Sequence, residues 1–106
     1  MLDTFDLLVL LATLRLEDEA YGVSIAEAVA KARGRGVSMA SVYVALERLE
    51  ERGLVVSELG EPTAARGGRA KRYVRVTALG IQAIKSTQRA LIDLWSNVPA
   101  LKGGAR

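Results

Sequence analysis

The chain contains no cysteine and no histidine among its 106 residues. Without cysteine there is no disulfide staple and no thiol nucleophile, and the sequence is neutral about redox compartment. Without histidine it lacks the commonest general base and the commonest metal ligand near neutral pH. No glycine-rich phosphate loop precedes a helical pattern, and the acids are dispersed over helix surfaces. An enzyme is therefore not expected, nor a metal or cofactor. Long apolar runs are missing too. The run Leu7–Ala12 is flanked by Asp3 and Asp6 and is far shorter than the roughly 20 residues that span a bilayer. It reads as neither a signal peptide nor an anchor, and the expected compartment is the cytoplasm.

What remains is an ordinary globular composition, half apolar and one quarter charged, long enough for one small domain. So small a core makes association a natural way to bury more surface. The net charge of +3 says less than its distribution. Asp3, Asp6, Glu17, Asp18 and Glu19 make the first third acidic. Residues 66–75 hold Arg66, Arg69, Lys71, Arg72 and Arg75 with no acid. Cations concentrated on one loop are the usual footprint of a polyanion partner.

The patterns predict four helices and one β-hairpin. The first helix spans Thr4 to Leu16, capped by Asp3, with Phe5, Leu8, Val9, Leu11 and Ala12 toward the core. Ser24, with Glu27 three residues on, reads as a capping-box start for a second helix ending near Ala32, its stripe being Ile25, Ala28, Val29 and Ala32. Ser38 caps a third helix, whose inner face is Val42, Ala45, Leu46 and Leu49 and which Gly53 ends in the left-handed conformation. Residues 54–59 read as a strand, Gly60 to Gly68 as a loop, and Arg72 to Val76 as the returning strand. Thr77 then caps a last helix running to Asn97, before Pro99. The resulting fold class is mainly α with a small antiparallel hairpin. Residues 1–76 read as a winged helix-turn-helix of the kind that binds DNA, 77–98 are expected to be a dimerisation helix, and 99–106 a tail without structure.

Three features carry the functional reading. The outer face of the third helix begins with Ser38, Met39, Ala40, Ser41, Tyr43 and Val44, small or neutral side chains that let a duplex approach closely. The acids wait until Glu47. Tyr43 can donate its hydroxyl to a phosphate; the alternative is a half-buried tyrosine bonded to a carbonyl. With no Arg, Asn or Gln in the first turns, base readout would lean on serine hydroxyls, thymine methyls and DNA shape. Second, Arg66, Arg69, Lys71 and Arg72 sit where a wing would follow the DNA backbone or enter the minor groove, against the alternative of a merely solvated loop. Third, Ile81, Ile84, Gln88, Leu91, Trp95 and Val98 form a heptad-like stripe. It can pack on the first helix, yet Leu79, Ile92 and Leu94 widen it beyond one partner, so a homodimer is expected. Trp95 at that seam can anchor the interface or stack on a planar aromatic ligand.

These residues also resemble a known family. Val37-Ser38-x-x-Ser41-Val42-Tyr43-x-Ala45-Leu46-x-Arg48-Leu49-Glu50-x-x-Gly53-Leu54-Val55 is similar to the signature of PadR-family bacterial transcriptional regulators. So are Gly67-Gly68-Arg69-Ala70-Lys71-Arg72-Tyr73-x-Arg75-Val76-Thr77-x-x-Gly80 and the pair Tyr21-Gly22. The resemblance implies a dimeric repressor on double-stranded DNA, often answering to small aromatic molecules, with Tyr43 and the residues around Ser41 on the DNA. Departures stand at Ala40, Ser41, Val42 and Val44, and a single C-terminal helix replaces the family's longer helical part. The competing reading is a winged-helix module for protein–protein assembly without sequence-specific DNA binding, which Glu47, Glu50 and Glu51 would favour if turned outward.

Overall fold

The computed structural model describes residues 2–61 and 70–102. In chain order it contains α1 (Thr4–Leu16), α2 (Gly22–Arg33), α3 (Met39–Glu51), β1 (Val55–Leu59), β2 (Arg72–Val76) and α4 (Ala78–Trp95). Short 3-10 turns occupy Glu17–Glu19 and Pro99–Leu101. The fold is mainly helical, with one antiparallel hairpin paired from Val55↔Val76 to Leu59↔Arg72. No described helix is long and apolar enough to cross a membrane.

Local chemistry sets the helix starts. Asp3 accepts from the Asp6 N–H at 2.8 Å, Ser38 from the Ser41 N–H at 3.1 Å, and Thr77 from the Gly80 N–H at 3.0 Å. Each satisfies a backbone donor that the first turn leaves orphaned. Gly34 and Gly53, both at φ +77°, end α2 and follow α3 in the left-handed region that favours glycine.

The second helix departs from expectation. Ser24 is its third residue, not its cap: the helix starts at Gly22 after an extended Tyr21, whose N–H donates back to the Ser24 hydroxyl at 3.0 Å. A long-range tie explains the earlier start. The Val74 N–H donates to the Ala20 carbonyl at 2.9 Å, and Tyr21 bridges Tyr73, so β2 holds the residues just before α2 extended. At the other end of the chain, α4 stops at Trp95, two residues before the expected Asn97, which takes φ 63°. Residues 103–106 lie outside the described residues.

The core lies where α1, α2, α3 and the hairpin meet. Val9, Leu10, Ile25, Val29, Val42, Leu49, Val55 and Val74 are buried there. Against the expected stripes, Leu11 and Ala32 are exposed, whereas Leu10 and Ala26 are buried. Asp6 is the charged member of this interior. Arg48 of α3 grips it with two hydrogen bonds, Nη2–Oδ1 at 2.5 Å and Nε–Oδ2 at 3.4 Å. That bidentate pair ties the recognition-type helix to the start of α1. Nearby, the Leu2 N–H donates to buried Thr87 Oγ1 at 3.3 Å, joining the N-terminus to α4.

Candidate nucleic-acid interface

Helix α3 buries Val42, Ala45, Leu46 and Leu49 on one face. With 3.6 residues per turn, the direction opposite that stripe runs through Ala40, Val44 and Glu47. All three are exposed, Val44 by 56%. Tyr43 flanks this line toward the hairpin and is likewise 56% exposed. Ser38 and Ser41 are also exposed, whereas Met39 is half-buried and packs on the core, so it can offer only its edge. Of the cap and α3 residues expected to face DNA, Ser38, Ala40, Ser41, Tyr43 and Val44 are exposed and Met39 is not.

The two serines are already engaged with each other. The Ser38 hydroxyl accepts from the Ser41 N–H and donates to Ser41 Oγ at 3.0 Å, while Ser41 Oγ donates to the Ser38 carbonyl at 2.8 Å. Both hydroxyl protons are thus used inside the cap, and what remains outward is acceptor capacity.

Tyr43 owes its position to a missing side chain. Its ring lies over Gly22, where a Cβ would stand 2.8 Å from the ring and from the hydroxyl oxygen. Gly22 therefore lets the tyrosine lie across the start of α2. The sequence signal for this residue was the Tyr21-Gly22 pair, though nothing local gave the reason.

The hairpin forms the second wall. Lys71 Nζ sits 4.1 Å from the Tyr21 ring centroid, and Tyr21 meets Tyr73 edge to face at 5.8 Å. The stack holds the lysine stem on aromatic surface. Arg72 donates to Ser57 Oγ at 3.3 Å, and Ser57 donates to the Glu50 carboxylate at 3.2 Å. One cation at the foot of the hairpin is thereby tethered to α3. Arg66 and Arg69, the other two wing cations, lie outside the described residues. Between the walls runs a groove of about 920 Å³ that includes Tyr21, Tyr43, Glu47, Glu50, Lys71 and Arg72 in its lining. Its charged lining is Glu47 and Glu50 on the α3 side and Lys71 and Arg72 on the hairpin side, among largely apolar and aromatic side chains.

Arg48 stands in the family-like signature, but its role is not legible in the sequence, because its partner Asp6 lies 42 residues away. The hydrogen bonds it donates to Asp6, and then the charge of that carboxylate, hold its guanidinium above even the usual arginine range. It turns toward α1 and away from the groove.

The α4 stripe divides into two parts. Ile84 is buried in the protein's own core and Ile81 is half-buried, so these two face inward, contrary to the expected dimer seam. Gln88, Leu91 and Trp95 are exposed, Trp95 by 64%, and Val98 is half-buried. Leu79, Ile92 and Leu94 are exposed as well. Among the described residues no group of His, Cys, Asp or Glu is arranged to hold a metal ion.

Comparison with known proteins agrees with this architecture. A family model described as "Transcriptional regulator PadR-like family" matches residues 10–86. A PadR family transcriptional regulator from Eggerthella lenta superposes with a TM-score of 0.68 at 26% identity, covering 91% of this chain and 81% of that one. A transcriptional regulator from Clostridium thermocellum gives 0.71 at 22% identity, with 92% and 91% covered. The fold also recurs in the Aeropyrum pernix ORC1 protein in complex with DNA, at a TM-score of 0.63 and 24% identity, over 88% of this chain and 26% of that one. No curated protein matches the sequence.

Proposed function

The chain belongs to the PadR-like family of transcriptional regulators, and from that premise we propose that it is a sequence-specific dimeric repressor that acts by occupying a promoter. Residues 1–76 bind DNA and 77–98 pair two subunits. The observation that carries this reading is the exposed outer line of α3, with Ala40 and Val44 open to a partner and the exposed Tyr43 beside them. Ser38, Ser41 and the edge of Met39 complete the base-facing surface. Lys71 and Arg72, with Arg66 and Arg69, supply phosphate contacts from the wing.

Ala40 and Val44 suit thymine methyls, and the Tyr43 hydroxyl suits a phosphate. The exposed half of α4, with Leu91 and Trp95, is the surface for a second copy, and Val98 lies at its end. In that dimer the Trp95 ring can stack on a planar aromatic effector, which an indole fluorescence titration reads directly. The operator would be an inverted repeat.

The deciding experiment selects bound fragments from a random pool of duplexes. An enriched inverted repeat with half-site centres about one helical turn, roughly 34 Å, apart is the expected result. Glu47, Glu50 and Glu51 are exposed, the arrangement that suits a protein-assembly module, and weak retention with no enriched sequence, lost evenly with salt, would mark that second reading.

A further inference from the structure

We propose that Glu47 is a base-reading residue, whose carboxylate accepts from the exocyclic amino group of cytosine in the major groove. The inference rests on the DNA-binding reading above and adds to it a charged acceptor, which Ala40, Val44 and the serines do not provide.

Three observations converge on this residue. Glu47 continues the outward line of α3 one turn beyond Val44, so a duplex seated on Ala40 and Val44 meets it next. It is exposed and makes no ion pair or hydrogen bond with another described residue. The acid beside it behaves otherwise: Glu50 accepts from Ser57, which in turn accepts from Arg72. Among the described residues, Glu47 is a carboxylate of the groove with no ion pair or hydrogen bond.

A free carboxylate in such a place has few acceptable neighbours. Phosphates repel it, and both guanine groups on the major-groove edge are acceptors. Two bases offer an amino donor there. Adenine N6 lies between two acceptors that oppose a carboxylate, its own N7 and the O4 of the paired thymine, whereas cytosine N4 has an acceptor, the paired guanine's O6, on one side only. Cytosine is thus the favoured contact. The helix start agrees with this bias, since the Ser38 and Ser41 protons are consumed within the cap and acceptors face outward. A donor-poor helix face selects half-sites by amino groups and methyls, not by guanine.

The test is selection from a random duplex pool, at one salt concentration, with the full-length wild type, Glu47→Gln and Glu47→Ala. Glu47 is exposed, so both variants should keep the wild-type melting temperature. The wild type should enrich cytosine at one position in each half-site. Glu47→Ala should lose that preference by about five- to 150-fold, the discrimination one good base contact supplies. It should also bind unrelated duplex more tightly, because a repulsion is gone. Glu47→Gln should turn the position toward adenine, whose N6 and N7 an amide matches. The same base preference in all three proteins overturns the assignment. A wild type that enriches no sequence overturns the regulator reading itself and this inference with it.

Discussion

Single residues in this molecule act through what they leave room for or pair with. Gly22 is one case. A methyl group there would meet the Tyr43 ring at 2.8 Å, and the ring, at the far end of a flexible side chain, would swing away. Gly22→Ala should therefore change folding stability by no more than about 1 kcal/mol, the scale of a helix propensity difference. DNA affinity should fall about tenfold, as for one lost hydrogen bond to a charged group. Gel shifts and thermal melts on the same samples check both; unchanged affinity would remove Tyr43 from the interface. Arg48 is the opposite case, a side chain whose partner is buried. Arg48→Met leaves the Asp6 carboxylate inside without its cation, so the melting temperature should drop. The double variant Asp6→Leu with Arg48→Met should recover much of that loss, a non-additivity that a double-mutant cycle measures. Because the arginine is held above its ordinary range, its contribution is full below that range and fades only as pH climbs past it. Alkaline titration to pH 10 should leave this part of the stability intact.

At the scale of elements, the hairpin and α3 make one grooved surface, and the cations of the hairpin should report themselves through salt. Lys71 is held on the Tyr21 ring at the groove wall. If it meets a phosphate there, Lys71→Ala should lower the slope of log affinity against log salt by about 0.9. Fluorescence anisotropy at four or five salt concentrations reads this, and an unchanged slope would take Lys71 out of the interface. Much of this arrangement was legible in the sequence. The caps at Asp3, Ser38 and Thr77, the inner face of α3 and the strand Arg72–Val76 all follow from local chemistry. The failures share a cause in long-range contact. The start of α2 is set by β2, through the Val74–Ala20 hydrogen bond, not by its own cap pattern. The pair Arg48–Asp6 joins α3 to α1 and leaves no mark on either helix alone. Apolar spacing put Ile81 and Ile84 on the same stripe as Leu91 and Trp95. Spacing cannot say where a helix leaves its own core. Burial in the fold does: Gly80, whose missing Cβ lets α4 start close against the Leu54 carbonyl, Ile84 and Thr87 are the buried residues of α4, and none follows Thr87.

The described residues make an elongated molecule. The radius of gyration is 16.1 Å and the principal extents are 55 × 28 × 21 Å, whereas a compact chain of about 100 residues has a radius near 13 Å. The excess length is consistent with the second half of α4, which carries exposed Leu91, Ile92, Leu94 and Trp95 and gains little from its own domain. An apolar helix end left in water is costly, and a two-fold partner is the simplest cover for it. Pairing would also set two α3 helices at a fixed separation, which converts the second half-site contact into an intramolecular one. Leu91→Glu combined with Trp95→Glu places like charges on that surface without touching the buried core. Sedimentation should then shift from dimer to monomer mass at micromolar concentration. Affinity for a full inverted repeat should fall by about 10² to 10⁴, the gain that linkage of two sites provides, while binding to an isolated half-site should hardly change. A wild type that sediments as a monomer, or a double variant that binds the full repeat as tightly as the wild type, would show that α4 does not join two reading heads.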